Sequence, residues 1–325
     1  MSKNLTLLSE AIEREVAKMN FGENPEQLYE PIRYTMRMGG KRMRPLLALM
    51  AYRMFGQNWE SILHPAIAVE VFHNFTLLHD DIMDKAPLRR GMPTVHAKWN
   101  DTIAILSGDV MLVKAYDLLL ESPSHLLPSV LRHFNKTATE VCEGQQWDMN
   151  FETMDSVDEA QYLEMIRLKT AVLLGHSLWL GTRLAGASEA VCDQMYAVGE
   201  NMGLGFQLMD DFLDVYAEQA KFGKQVGGDI IANKKTYMLI QALKNAGGND
   251  ARELSNWIEA KEFDPEEKVK AVTALYNRLG IAELCKAKMN EYYEKAFTML
   301  DGIEALQEPK AELYDLMQGL SAREK

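Results

Sequence analysis

The chain has 325 residues, 47% of them hydrophobic and 25% charged, with a formal net charge of -12. That length is enough to bury the core of one large helical domain or two smaller ones. The acidic balance excludes a general nucleic-acid binder, because grip on a phosphate backbone needs a basic footprint; any phosphate this chain takes is small and met locally.

The opening Met1-Ser-Lys-Asn-Leu-Thr begins no signal peptide, since the apolar stretch is short and Glu10, Glu13 and Glu15 follow at once. No run approaches the ~18 uninterrupted apolar residues of a membrane span, so a cytoplasmic protein is expected. Cys142, Cys192 and Cys285 are odd in number and far apart, which fits reduced thiols acting as small buried hydrophobes.

Leu5 to Met19 has helical spacing (Leu7, Leu8, Ile12, Val16, Met19), and Gln27 to Met38 is a second helix that stops at Gly39-Gly40. Lys41-Arg42-Met43-Arg44-Pro45 then sets three positive charges beside the glycine pair, just before a helix of Leu46 to Phe55. Glycines let a backbone approach a ligand, and a helix start offers N–H groups to an anion. Taken alone, the motif is equally a solvated basic turn.

Ile62 to Lys85 reads as the central helix. It is almost uncharged up to Leu78 and then closes in His79-Asp80-Asp81-Ile82-Met83-Asp84. Asp80 and Asp84 lie about one turn apart, so both carboxylates share a face. They repel each other, and the helix C-terminus disfavours them by a further few tenths to about 1 kcal/mol. A hard divalent cation relieves this; oxygen ligands without cysteine suit Mg²⁺, which keeps waters and takes phosphate oxygens to complete its octahedron.

Pro87 to Thr94 is a loop whose Arg89 and Arg90 either neutralise those acids or fork onto a phosphate. Helices follow at Asp101 to Glu121, Pro128 to Phe151 and Val157 to Gly186, the last a long apolar one interrupted by Lys169-Thr170. A lysine there snorkels to the surface or faces a polar cavity. The acidic pattern returns 130 positions on, as Gly205-Phe206-Gln207-Leu208-Met209-Asp210-Asp211-Phe212-Leu213-Asp214. Lys221 to Thr236 is a glycine- and lysine-rich loop suited to closing over a ligand. Helices resume at Tyr237 to Asn245, Asn249 to Lys261, Pro265 to Leu279, Ile281 to Leu300 and Pro309 to Gln318. No segment alternates with period two, so the fold class is all-α, and no low-complexity linker divides residues 1–325.

Gly-Gly-Lys41-Arg42-Met43-Arg44-Pro45, the two Asp-Asp-x-x-Asp motifs, Arg89-Arg90-Gly91 and Asn233-Lys234-Lys235-Thr236, in this order and spacing from about residue 30 to 240, resemble the trans-isoprenyl diphosphate synthases of the polyprenyl synthetase family. The resemblance implies a single-domain antiparallel helical bundle around a central cavity (the isoprenoid synthase fold), usually a homodimer. It implies head-to-tail 1'-4 condensation of isopentenyl diphosphate with an allylic diphosphate (C5–C15), releasing pyrophosphate.

By the family's motifs, Asp80, Asp84, Asp210 and Asp214 hold about three Mg²⁺ on the allylic diphosphate. Asp81 and Asp211 support that shell less directly. Arg89, Lys169 and Lys234, with Lys224 beside them, resemble the allylic diphosphate ligands, while Lys41, Arg44, His73 and Arg90 resemble the isopentenyl diphosphate pocket. Thr170 and Gln207 occupy positions of dipoles near the allylic cation. The departing pyrophosphate serves as base. Chain length falls to side chains one and two turns before the first motif: Phe75 as a floor, Phe72 nearby and small Thr76. This resembles short-chain synthases making C15 or C20 products, with geranylgeranyl favoured over farnesyl; core packing alone also accounts for both phenylalanines.

Two departures stand out: Asn233 replaces the glycine usual before Lys234, and Met238 replaces a common proline. Lys235 is a second candidate for the lysine role. A class I terpene cyclase shares the fold and first motif but ordinarily has an Asn/Ser/Glu-type second one. An HD-type metal phosphohydrolase fits His79-Asp80 with His64 or His73, yet leaves the second acidic motif unexplained. A silent regulatory subunit should have lost an acidic motif, and this chain keeps both.

Overall fold

A computed structural model describes residues 3–217 and 227–322. In chain order its helices are α1 (Lys3–Lys18), α2 (Glu26–Arg37), α3 (Met43–Arg53), α4 (Leu63–Met83), α5 (Val95–Lys98), α6 (Asp101–Leu119), α7 (Leu127–Thr153), α8 (Glu159–Ile166), α9 (Val172–Leu184) and α10 (Glu189–Tyr216). After residue 226 come α11 (Gly228–Ile231), α12 (Tyr237–Asn245), α13 (Gly248–Glu259), α14 (Pro265–Arg278), α15 (Ile281–Asp301) and α16 (Gln307–Ser321). Among the described residues the only strands are β1 (Leu88–Arg89) and β2 (Met92–Pro93), an antiparallel pair too short to alter the all-α class. No helix among them is long and apolar enough to cross a membrane.

The chain divides into two compact units. The first comprises Met1–Thr137, Leu173–Tyr196 and Gly302–Asp315; the second comprises Ala138–Val172, Ala197–Asp301 and Leu316–Lys325.

In the first unit α4 is buried continuously from Pro65 to Phe72 and packs against α3 and α6. That is why its sequence lacks a polar stripe: every face meets another helix. Full burial of a side chain such as Phe72 is worth about 1.5–3 kcal/mol relative to exposure. One acid lies inside this run. Glu70, 2% exposed, accepts from Arg42 Nη1 at 3.1 Å and from Asn74 Nδ2 at 3.2 Å. Arg42 takes a left-handed conformation (φ 45°) at the entry to α3 and also donates to Glu13 and to the Met36 carbonyl. The pair therefore fixes the turn after α2 to the core helix.

Local signals set several helix starts. Asn100 caps α6 by accepting from the Ile103 amide, Asp158 and Gln161 form a capping box on α8, and Asp264 caps α14 with Pro265 in its first turn. In the second unit Tyr162 of α8, Leu208 of α10, Tyr276 of α14 and Cys285 of α15 are buried. The three cysteines are thiols, as expected, but Cys142 is exposed and does not act as a buried hydrophobe.

The largest departure from the sequence reading is in Val157 to Gly186. This stretch is not one helix: between α8 and α9 the residues Arg167–Ala171 form a π-helical turn. Apolar periodicity continues through it, so the extra residue per turn leaves no trace in the pattern. Tertiary packing accommodates it. Gly144 of α7 lies so close that a Cβ there would collide with the Lys169 backbone.

Candidate active site

In the first unit the end of α4 presents Asp80 with its side chain 18% exposed, Asp81 at 7%, and Asp84 exposed as the residue capping the helix. Arg89 of β1 folds back on them. Its Nε donates to both Asp81 oxygens at 2.8 and 2.9 Å, and its Nη2 lies 2.7 Å from Asp81 Oδ1 and 3.6 Å from Asp80 Oδ2. Asp81 is thus occupied by a bidentate arginine. Burial pushes its carboxyl up, with Arg89 pulling the other way.

Beside this end the structure gathers the basic residues that the sequence reading assigned to one pocket. Arg90, also left-handed (φ 54°), donates to the Gly39 carbonyl. A Cβ on Gly40 would sit 2.8 Å from its guanidinium, so this approach requires glycine. Burial lowers the Arg44 guanidinium to about 10, Glu70 opposing and Arg90 reinforcing the shift. Its Nε is buried with no hydrogen-bond partner among the described residues. His73 is held well below the usual imidazole range, first by burial and then by Arg44, Arg90, Arg89 and Arg42. Lys41 is exposed at the start of the same turn. In a chain of charge -12 this is a concentrated positive field with an unsatisfied buried donor, the chemistry that receives a compact polyanion.

The remaining first-unit candidates line α4. Phe75 is 9% exposed and Phe72 fully buried, their rings 5.6 Å apart, with Phe134 stacked edge-on to Phe72 at 5.1 Å. Thr76 donates to the His73 carbonyl at 2.8 Å. The phosphohydrolase reading finds no support: His79 Nε2 is 3.2 Å from the Ile105 carbonyl of α6, and both ring nitrogens of His64 meet glutamates, Glu121 at 2.5 Å and Glu15 at 3.1 Å.

In the second unit the π turn brings Thr170 to Gln207, as the sequence reading paired them, and aims Lys169 at a residue that reading left out. Asp148 of α7 accepts from Lys169 Nζ at 2.6 Å and lies 3.6 Å from Lys234 Nζ. Burial would raise its carboxyl, but Lys234 and Lys169 outweigh that and hold it below the usual range. Thr170 Oγ1 donates to Gln207 Oε1 at 3.0 Å, and Gln207 Nε2 donates to Asp211 Oδ1 at 3.1 Å. The Tyr162 hydroxyl donates to the other Asp211 oxygen. Burial, with the nearby charge of Asp229, pushes Asp211 up to about 7 against those hydrogen bonds. Asp211 orients Gln207, while Asp210 and Asp214 are half-buried on the same helix. Asp214 Oδ2 accepts the Asp229 amide at 2.9 Å, tying α10 to the start of α11.

Of the two adjacent lysines, Lys235 is spent structurally, donating to the Phe151 carbonyl at 2.6 Å at the end of α7. Asn233 is left-handed (φ 52°), which accounts for a residue tolerant of that region where glycine is usual. Met238 is fully buried in α12. Lys224, and the part of the glycine- and lysine-rich loop around it, lie outside the described residues.

Among the described residues no three acidic, imidazole or thiol side chains converge on one metal position. The donors offered by Asp80 and Asp84, and by Asp210 and Asp214, are carboxylate oxygens, the set that suits Mg²⁺ bound by one or two carboxylates with substrate phosphate completing its shell. Asp148, Tyr162, Gly144 and the π turn had no local signal, because each depends on a residue distant in sequence.

Residues 25–276 match the Polyprenyl synthetase family. The chain is 44% identical over 222 residues to a geranylgeranyl diphosphate synthase of Methanosarcina mazei, covering 68% of each. It is 37% identical over 238 residues to a geranylfarnesyl diphosphate synthase of Natronomonas pharaonis, covering 68% of this chain and 70% of that one. A crystal structure of a geranylgeranyl pyrophosphate synthase superposes with a TM-score of 0.95 at 41% identity, covering 100% of both chains.

Proposed function

The chain belongs to the polyprenyl synthetase family, and we propose that it is a Mg²⁺-dependent trans-prenyltransferase that joins isopentenyl diphosphate head-to-tail to an allylic diphosphate, releasing pyrophosphate and making the C20 geranylgeranyl product. The observation that carries this is the arginine field around His73, with the buried Arg44 Nε left over for a ligand. With Lys41 and Arg90 it forms a diphosphate pocket for the homoallylic substrate.

Asp80, Asp84, Asp210 and Asp214 would hold Mg²⁺, about three ions on the family's pattern. When bound, Mg²⁺ neutralises the allylic diphosphate and makes pyrophosphate a leaving group. Arg89, Lys169 and Lys234, with Lys224, bind the same diphosphate. Thr170 and Gln207 present the negative ends of their dipoles to the allylic cation; Asp211 fixes the Gln207 amide for this work. The departing pyrophosphate takes the final proton. Phe75 and Phe72 stop the growing tail.

Residues 1–325 serve this one reaction, as one functional domain in the cytoplasm. A homodimer is supported by α6, whose exposed Ile105, Leu106 and Val113, with Leu120 capping the helix, form an apolar stripe at helical spacing. Incubation with isopentenyl diphosphate and each allylic starter, with chain-length analysis, tests the reading; a folded protein that elongates none of them would sink it.

A further inference from the structure

Lys268 lies on α14 and is 1% exposed, yet it pairs with no carboxylate among its described partners. Its Nζ donates to Asn233 Oδ1 at 2.7 Å and to the Ile231 carbonyl, the last of α11, at 3.3 Å, and it rests over the Phe263 ring at 4.2 Å. Burying an ammonium on two neutral oxygens and a ring is costly, so the arrangement needs a purpose.

The purpose is legible in what Lys268 touches. Asn233 is left-handed, and its side chain is used at both ends: Oδ1 receives Lys268, and Nδ2 donates to the Ile258 carbonyl of α13 at 3.0 Å. A non-glycine residue persists in that conformation where its surroundings over-determine it. The next residue is Lys234, whose amide donates to the Asp229 carbonyl at 2.9 Å and whose ammonium faces Asp148 at 3.6 Å. The residue after that, Lys235, is anchored on the end of α7, the helix that carries Asp148. Lys234 is therefore held between two anchors, one of them made by Lys268.

We propose that Lys268 is a positioning residue for Lys234, acting through Asn233: its ammonium locks the left-handed turn that aims the Lys234 side chain. The proposal rests on the reading above that Lys234 binds the allylic diphosphate. No chemistry passes through Lys268 itself.

The test combines amide exchange with steady-state kinetics on the full chain. In Lys268→Met, which keeps an apolar stem and removes the ammonium, the Lys234 amide should exchange faster. The KM for the allylic diphosphate should rise roughly tenfold, the scale of loss from a displaced binding group, with the KM for isopentenyl diphosphate unchanged. A general loss of folded protein would lower apparent kcat and leave both KM values alone. Adding Asn233→Gly to Lys268→Met should restore most of the allylic KM, because glycine holds a positive φ without side-chain partners. If Lys268→Met does not fold, Asn233→Ala carries the test, with the same selective rise expected. Unchanged exchange at Lys234 overturns the lock whatever the activity does. Faster exchange with an unchanged allylic KM overturns the role assigned to Lys234 and so the proposal built on it; equal rises in both KM values, or no rescue by glycine, overturn the specific path through Asn233.

Discussion

Lys169 donates to Asp148 across 2.6 Å, from a π-helical turn to the helix beside it, and Lys234 stands 3.6 Å from the same carboxylate. Two like charges are thereby held near each other by one half-buried acid. Asp148→Asn keeps the shape and removes the charge that opposes their repulsion. The allylic diphosphate KM should rise on the order of tenfold or more, as for other supporting partners of a ligand set, with the isopentenyl diphosphate KM little changed. Steady-state kinetics with each substrate varied in turn checks this.

Tyr162 and Gln207 both donate to Asp211. Tyr162→Phe leaves one buried carboxylate oxygen without its phenol, which should cost about 1–3 kcal/mol of stability. Asp211, released at that oxygen, holds the Gln207 amide less tightly, so kcat should fall while the KM values stay near wild type. Denaturant unfolding and turnover, measured together, separate the two effects.

Much of this was legible in the sequence. An uncharged run ending in Asp80-Asp81-Ile-Met-Asp84 identifies a buried helix with an acidic end, and α4 is such a helix, within two residues of the expected limits at each end. Gln207 and the acids of α10 were equally plain, since the pattern is local. Asp148 was not: nothing in Gln145-Gln146-Trp147-Asp148 says that two lysines 21 and 86 positions away will meet it. The π turn was hidden because apolar residues continue across it, and the collision that Gly144 avoids belongs to a different helix. Asn233 read as an anomaly until its positive φ gave it a reason.

Glu70 is the counter-charge of Arg42 inside the first unit, with both side chains under 5% exposed. Glu70→Ala strands a buried guanidinium and should cost about 3–5 kcal/mol, read as a fall in the urea midpoint without a change in slope. Substituting Glu13 at the other end of Arg42, where the acid is 52% exposed, should cost under about 1 kcal/mol.

His133 and His176 share a hydrogen bond between their Nδ1 atoms at 2.8 Å, which requires one donor and one acceptor, so the two rings cannot both be protonated. Burial, with Lys136 adding to it, lowers His133 to about 4, and burial holds His176 well below its usual value. The unfolded chain binds these protons near pH ~6.5, the native one only well below that. Stability from this pair is thus complete above pH ~6.5 and lost as pH falls toward 4, with His133 accounting for up to about 3 kcal/mol. His133→Leu should flatten the stability profile between pH 7 and 5, measured by urea denaturation at each pH.

Phe75→Ala opens the space beside Phe72 and should shift the product to longer chains, seen as a displaced peak in chain-length analysis. Thr76, already small and bonded to the His73 carbonyl, should give a smaller shift when changed to Ala.

The most direct measurement is incubation of the purified chain with Mg²⁺, isopentenyl diphosphate and farnesyl diphosphate, with the product resolved by length and Asp80→Ala run alongside. The account predicts a C20 diphosphate, release of one pyrophosphate per addition, and loss of both in the variant. Folded wild-type protein that releases no pyrophosphate from any allylic starter, or an Asp80→Ala variant that elongates as well as wild type, would contradict it.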